Sequence, residues 1–276
     1  MQFLKIKVNA KINLSLDITG VRKDGYHLLD MLMTSVDVFD VIEACKSEKS
    51  EVFMDGVKAG ADNTALKAVN ALRDKFGINM HIDIRKGIPF SSGMGGSSAD
   101  ASGVFYCAHK LYSLDIDRLL PLALSIGCDV PYMIFGGAAR VQGVGEEISP
   151  LAFPVMHLVI AQKCEGASTK EIYKRYDECA GEKGSIDEVL KDIKFRFAPF
   201  NVLEKSAISL CPEIEQAKQQ LLKFTDTVFM TGSGSAYVGV FSDERKAAEC
   251  CDALEGMTFK TCTVTKDRGI TELAHA

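Results

Sequence analysis

Basic residues are in short supply. Lys and Arg total 32 against 37 Asp and Glu, a formal charge of −5 over 276 residues. Wrapping a nucleic acid calls for a basic field, so RNA or DNA binding is disfavoured. A single phosphate site is not excluded, because backbone N–H groups hold anions without raising net charge. No apolar run approaches the roughly 20 residues of a membrane-crossing helix, so no membrane association is expected. The N-terminal stretch MQFLKIKVNAKINLSLDI alternates apolar and polar residues and lacks the continuous apolar core and cleavage site of a signal peptide. Nine cysteines are present, none in a CxxC pair, and Cys250 and Cys251 are adjacent. Zinc frameworks and disulfide scaffolds need spaced pairs, so the expectation is reduced, mostly buried thiols in a cytoplasmic protein. What is there is ordinary for a soluble globular protein: 47% hydrophobic and 25% charged residues, which speaks against disorder.

Leu4–Val8 and Ile12–Ile18 alternate and read as two half-buried strands, followed by turn chemistry from Gly20 to Gly25. A strand is expected over Val36–Ile42, a helix from an Asn63 cap to Gly77, and a strand over Met80–Ile84. Helices are expected from the segment after Pro89 to about Leu111 and over Asp117–Ile126, then a strand over Ala138–Val141. Pro150 and Pro154 bracket a junction, which divides the chain into domains 1–150 and 151–276. Beyond it the pattern gives a strand at Met156–Ala161 and helices at Thr169–Tyr176, Ser185–Ile193 and Pro212–Phe224. Strands at Val228–Met230 and Ala236–Phe241, a helix at Glu244–Leu254 and a strand at Phe259–Thr265 complete it. Helix-strand-strand-helix-strand is a ferredoxin-like order, and the fold class is α+β in two lobes.

The stretch Pro89-Phe-Ser-Ser-Gly-Met-Gly-Gly-Ser-Ser-Ala-Asp-Ala101 is the most informative. Gly93, Gly95 and Gly96 let the backbone approach a ligand, Ser97 and Ser98 add hydroxyls, and a helix N-terminus follows. That suits a polyphosphate. It is neither a Walker A loop nor a GxGxxG fingerprint. The same residues also make a flexible surface loop with a Ser cap, and the loop alone leaves these readings level. Thr231-Gly-Ser-Gly-Ser235 is ordinary hairpin chemistry by itself, but beside the first loop it could close over a phosphate. Lys11 is either an exposed-face lysine or a point charge for a transferring group. Asp129 is either a turn or cap aspartate or a carboxylate that takes or orients a hydroxyl proton. Spacing does not choose between these.

In order along the chain, four blocks resemble the GHMP kinase superfamily. They are Ala10-Lys-Ile-Asn-Leu14 with Ile18-Thr-Gly20 and Asp24-Gly-Tyr-His-Leu28; Pro89–Ala101; Gly127-Cys-Asp-Val-Pro131 with Gly143-Val-Gly-Glu146; and Asn201-Val-Leu-Glu204 with Thr231–Ser235. The first block is similar to that of a branch acting on a cytidyl diphosphate ester of methylerythritol. The resemblance implies a two-lobed GHMP kinase fold, with an N-terminal lobe like the second domain of ribosomal protein S5 and a ferredoxin-like C-terminal lobe. It implies an ATP-dependent kinase using Mg²⁺ on a small-molecule substrate, as monomer or homodimer. By it, Lys11 and Asp129 match the catalytic pair. Pro89, Ser91, Ser92, Gly93, Met94, Gly95, Gly96, Ser97, Ser98, Ala99 and Asp100 match the nucleotide loop, with Ser97 or Ser98 at the metal-bound phosphate. Asn13, Tyr26, His27, Thr169, Tyr173, Gly232, Ser233 and Gly234 match substrate contacts, Tyr26 and Tyr173 by stacking on a base. Ser97 stands at a usual Gly, Ala99 at a usual Ser, and Val202 at a usual Asp whose polar contact it cannot make. Other acceptors of the superfamily (homoserine, mevalonate, a sugar) and a catalytically silent nucleotide sensor are the alternatives.

Overall fold

The alternation at the N-terminus builds one strand, not two. The structure, a computed structural model describing residues 3–179, 183–192 and 197–274, runs β1 from Phe3 to Val21 without interruption. Its register against β2 (His27–Lys46) shifts between Asn9 and Ala10, between Asn13 and Ser15, and between Ile18 and Gly20. Each shift is a bulge, which re-aims the residues beside it. The first two flank Lys11–Asn13, so the break in alternation that suggests two strands is a re-aimed stretch within one.

β2 is long enough to serve several neighbours. One edge carries β1. The other is shared end to end by β6 (Ala139–Gly143) at Leu29–Met33, by β11 (Phe259–Lys266) at Ser35–Val36, and by β5 (Met80–Arg85) at Val41–Lys46. β3 (Glu51–Met54) and β4 (Val57–Lys58) extend the sheet beyond β5, and β7 (Glu147–Pro150) extends it beyond β6. Residues Val8 to Ile18 of β1 are buried without alternation because both faces of the sheet centre are covered.

Helices α1 (Thr64–Phe76), α2 (Gly96–Tyr112), α3 (Ile116–Ile126) and α4 (Val130–Phe135) form the N-terminal lobe's helical layer. The Asn63 side chain accepts from Leu66 N at 3.1 Å and Gly77 closes α1 at φ 68°, as the sequence predicts. α2 lies on β1 and β2, where Gly103 leaves room for Val8 and Ile42.

The second lobe orders its strands β11-β8-β10-β9, with β8 at His157–Gln162, β9 at Val228–Met230 and β10 at Tyr237–Phe241. That is the ferredoxin-like order. Its helices are α5 (Thr169–Cys179), α6 (Ile186–Asp192), α7 (Glu204–Leu210), α8 (Glu215–Leu221) and α9 (Glu244–Ala253). The predicted end of α6 at Ile193 lies outside the described residues. The helix expected from Pro212 to Phe224 is a 3₁₀ turn over Pro212–Ile214 followed by α8, which stops at Leu221. There Lys223 and Phe224 donate to carbonyls three residues back, a tighter winding that unravels the helix. Finally β12 (Ile270–Glu272) returns to pair with Ile6–Val8 of β1. Among the described residues no helix is long and apolar enough to cross a membrane.

Candidate functional site

A cleft of about 750 Å³ opens between the glycine-rich segments and the start of β2. Its floor is the loop before α2. Gly93 and Gly95 both have φ 75°, in the left-handed region that glycine adopts without strain. A Cβ on Gly93 would press into the carbonyl of Thr231 and stand 3.0 Å from that of Gly234. Backbone bonds from Ser235 N to Ser91 O and from Ala236 N to Ser92 O, both 3.2 Å, stitch the two glycine turns together. Gly95 caps α2 without a side-chain bond. The first N–H groups of α2 therefore have no acceptor within the helix and face the cleft, where an anion is favoured by bonds and dipole together. The Ser97 and Ser98 hydroxyls line the same wall.

Lys11 and Asp129 meet above this floor. Lys11, only 5% exposed, donates to Asn13 Oδ1 at 2.6 Å, and its Nζ lies 3.4 Å from Asp129 Oδ2. Its backbone N–H donates to Met94 O at 3.1 Å, tying β1 to the loop. Gly95 and Gly232 approach the lysine from either loop, since a Cβ on each would stand 3.2 Å from its side chain. Asn13 is also held by its backbone N–H to Thr231 Oγ1 at 2.9 Å. Asp129 stands at the entrance of α4, with no capping bond of its own, so its carboxylate is free for other work.

At the far end, Tyr26, His27, Thr169 and Tyr173 line the cleft. His27 and Tyr173 touch, with ring centroids 4.8 Å apart and planes inclined by 46°. Tyr26 is 59% exposed and makes no ring contact with them among the described residues. Thr169 Oγ1 and Ser233 Oγ lie 2.9 Å apart, so α5 reaches the second glycine turn.

All the residues matched to catalysis, the nucleotide loop or substrate contacts line this cleft except Met94 and Ala99. Both are fully buried, Met94 contributing its carbonyl and Ala99 its packing.

Three features escaped sequence reasoning. Lys86 donates to Asp40 Oδ2 at 2.5 Å and Asp100 Oδ2 at 2.8 Å, a buried triad under the first turn of α2. Burial pushes the Asp100 carboxyl up to about 8, with the Lys86 charge opposing and the Asp40 charge adding to the rise. Its Oδ1 has no partner among the described residues. Asn201 donates from Nδ2 to Met230 O at 2.9 Å and Gly232 O at 2.8 Å, pinning the second glycine turn. The turn at Gly143–Glu146 is closed by Val144 N donating to Glu146 Oε2 at 2.6 Å, and Gly145 lies against the Cys128 carbonyl, one residue before Asp129. A lone Lys before Gly87 carries no signal of partners 46 and 14 residues away. Asn201 and Glu146 lie in recognised blocks, but Asn201 acts on residues 29 and 31 positions away, and the turn that Glu146 closes matters through the contact of Gly145 with Cys128.

The profile of the GHMP kinases N terminal domain matches residues 63–137, and that of the GHMP kinases C terminal matches residues 176–257. A 4-diphosphocytidyl-2-C-methyl-D-erythritol kinase of Thermoanaerobacter sp. (strain X514) is 35% identical over 98% of this chain and 99% of its own. The kinase of the same name from Bacillus pumilus (strain SAFR-032) is 34% identical over 91% and 92%. A crystal structure of 4-(cytidine 5'-diphospho)-2C-methyl-D-erythritol kinase superposes with a TM-score of 0.81 at 28% identity, covering 95% of this chain and 99% of that one. A homoserine kinase from Cytophaga hutchinsonii shares the fold at a TM-score of 0.72 and 16% identity, covering 99% and 98%.

Proposed function

The chain belongs to the GHMP kinases and, within them, to the 4-diphosphocytidyl-2-C-methyl-D-erythritol kinases, and from that premise we propose how its cleft performs the reaction. The reaction is transfer of the γ-phosphoryl of ATP to the 2-hydroxyl of 4-diphosphocytidyl-2-C-methyl-D-erythritol, a step of isoprenoid precursor synthesis by the non-mevalonate route. The observation that carries the mechanism is the Lys11–Asp129 pair, 3.4 Å apart beside the uncapped N-terminus of α2.

Loop 89–100 holds the nucleotide's phosphates on the free N–H groups of α2, with Ser97 and Ser98 alongside. Charge that builds on the phosphoryl oxygens meets fixed donors that need no rearrangement. Asp129 takes the proton of the acceptor hydroxyl or orients it, and Lys11 positions that hydroxyl and faces the transferring group. Asn13 fixes the Lys11 ammonium, and Thr231 fixes Asn13. Tyr26, His27 and Tyr173 receive the cytidyl base, stacking being worth roughly 1–3 kcal/mol per base. Thr169 and Gly232–Gly234 border the remainder of the acceptor.

No group of three His, Cys, Asp or Glu side chains among the described residues could cage a metal. Ser97 or Ser98, which line the cleft, would offer a hydroxyl to Mg²⁺ brought in with the nucleotide, and the ion would supply neutralisation of the polyphosphate charge. The division at 1–150 and 151–276 is proposed on the same footing, with Lys11, the loop and Asp129 on one side and Thr169, Tyr173 and the second glycine turn on the other. Nine free thiols support a cytoplasmic setting.

An ADP-release assay offering the cytidyl substrate, homoserine, mevalonate and galactose in turn tests the assignment. Turnover is expected on the cytidyl substrate, and turnover on another acceptor alone would overturn it. Asp129→Asn should lower kcat by about 10²–10⁴-fold with the KM for ATP nearly unchanged. Near-full turnover would remove Asp129 from the mechanism.

A further inference from the structure

We propose that Asp177 is a positioning residue that holds His27 as its Nε2–H tautomer, so that the cleft favours a base carrying an amino group over one carrying an oxo group in the same place. The inference rests on the cytidyl substrate proposed above. α5 presents Tyr173, Tyr176 and Asp177, spaced so that one helix face carries all three toward His27 at the start of β2. His27 Nε2 lies 2.8 Å from Asp177 Oδ1. A carboxylate only accepts, so Nε2 carries the proton whenever this bond stands. The neutral ring then offers Nδ1 as an acceptor, and Nδ1 has no protein partner among the described residues.

The Asp177 bond fixes the ring's orientation, and two tyrosines border it: Tyr173 lies against it with centroids 4.8 Å apart and planes inclined by 46°, and Tyr176 meets it edge-on at 6.5 Å. His27 and Tyr173 line the cleft, whereas Tyr176 and Asp177 do not. The carboxylate therefore grips the imidazole from outside the site and sets what its other nitrogen does within it. Cytosine bears a 4-amino group, which donates. Uracil bears a 4-oxo group, which accepts and would meet the Nδ1 lone pair head on. A site built around one fixed acceptor separates the two. Asp177 is half exposed and its pairing contributes little to stability, so its variants are expected to fold.

The test pairs calorimetry of cytidine 5'-diphosphate and uridine 5'-diphosphate with nitrogen-15 spectra of the His27 ring. Native protein should show the Nε2–H tautomer and bind the cytidine ligand roughly tenfold tighter or more. Asp177→Ala and Asp177→Asn, the latter able to donate as well as accept, should cut that ratio by about tenfold and leave ATP affinity unchanged. Asp177→Glu should restore it. Native protein with the Nδ1–H tautomer, or a ratio untouched in both variants, overturns the inference. Loss of the ratio in a protein inactive on the cytidyl substrate would sink the proposed reaction and sustain this inference. Normal turnover with an unmoved ratio would do the reverse.

Discussion

Gly145 is a residue whose missing side chain sets the position of a carboxylate. Its φ of 115° suits glycine, and a Cβ would drive into the Cys128 carbonyl immediately before Asp129. Gly145→Ala should displace that peptide. Because a misplacement near 1 Å can cost about 10²-fold, kcat is expected to fall by that order while the KM for ATP holds. Steady-state kinetics reads this directly, and an unchanged kcat would show that the turn does not govern Asp129. Asp100 supplies a second residue-scale prediction, in stability. Its folded carboxyl is pushed up to about 8 by burial, against about 3.9 in an unfolded chain. Between those values the folded state keeps a proton the unfolded state has lost, so its contribution to stability falls as pH rises through the window. The stability advantage of the native protein over Asp100→Asn should therefore shrink from about pH 4 to about pH 8 and then level off. Denaturant unfolding across that range checks it, and a flat difference refutes it. The sequence exposed Asp129, because it sits in a recognisable block, but not Lys86. A cation that looks solvated before a glycine is in fact shared between Asp40 and Asp100, and only the packing of α2 on β2 brings the three together.

At the scale of elements, the legible ones were those whose signals are local. α1 has its Asn63 cap and Gly77 stop, and α9 has its Asp243 cap accepting from Lys246 N at 2.9 Å. α4 and α7 have six and seven residues, too few to show a helical period, and the sequence pattern assigns no element to either. β1 and β2 were read as fragments because bulges interrupt β1 and because β2 changes partner along one edge. α2 shows what local signals omit. Gly103 lies mid-helix, where propensity alone would favour alanine by about 1 kcal/mol. Packing decides otherwise, since a Cβ there would crowd the Ile42 side chain and stand 3.0 Å from Val8 Cγ2. Gly103→Val adds bulk in a filled seam and should cost about 1–3 kcal/mol, seen as a lower denaturant midpoint. A variant as stable as the native protein would show that the seam yields.

At the scale of the whole molecule, the two lobes share one sheet. β11 leaves the ferredoxin-like strands and pairs through Thr265 and Lys266 with Val36 and Ser35 of β2. The chain then passes Gly269, whose N–H donates to Phe135 O at 2.9 Å and whose carbonyl accepts from Asn9 N at 2.7 Å, and β12 closes on β1. The ferredoxin-like order was readable from element sequence, but this continuity was not, because a three-residue strand and a two-pair junction leave no pattern in composition. The consequence is thermodynamic. Lobes joined through β2 and tied again by the tail should unfold together, in a single calorimetric transition. Gly136 tests the tie. Its φ is 67°, and a Cβ would collide with the Gly269 backbone, which cannot rotate away as a side chain could. Strain in the left-handed region and displacement of the tail together should cost about 2 kcal/mol in Gly136→Ala. For a chain of this size that is a fall in Tm of roughly 3–4 °C. The single transition should move as a whole, since the lesion sits at a joint rather than within one lobe. If native protein melts in two steps, or if the variant separates one step from another, the lobes fold independently and the tail is not what unites them.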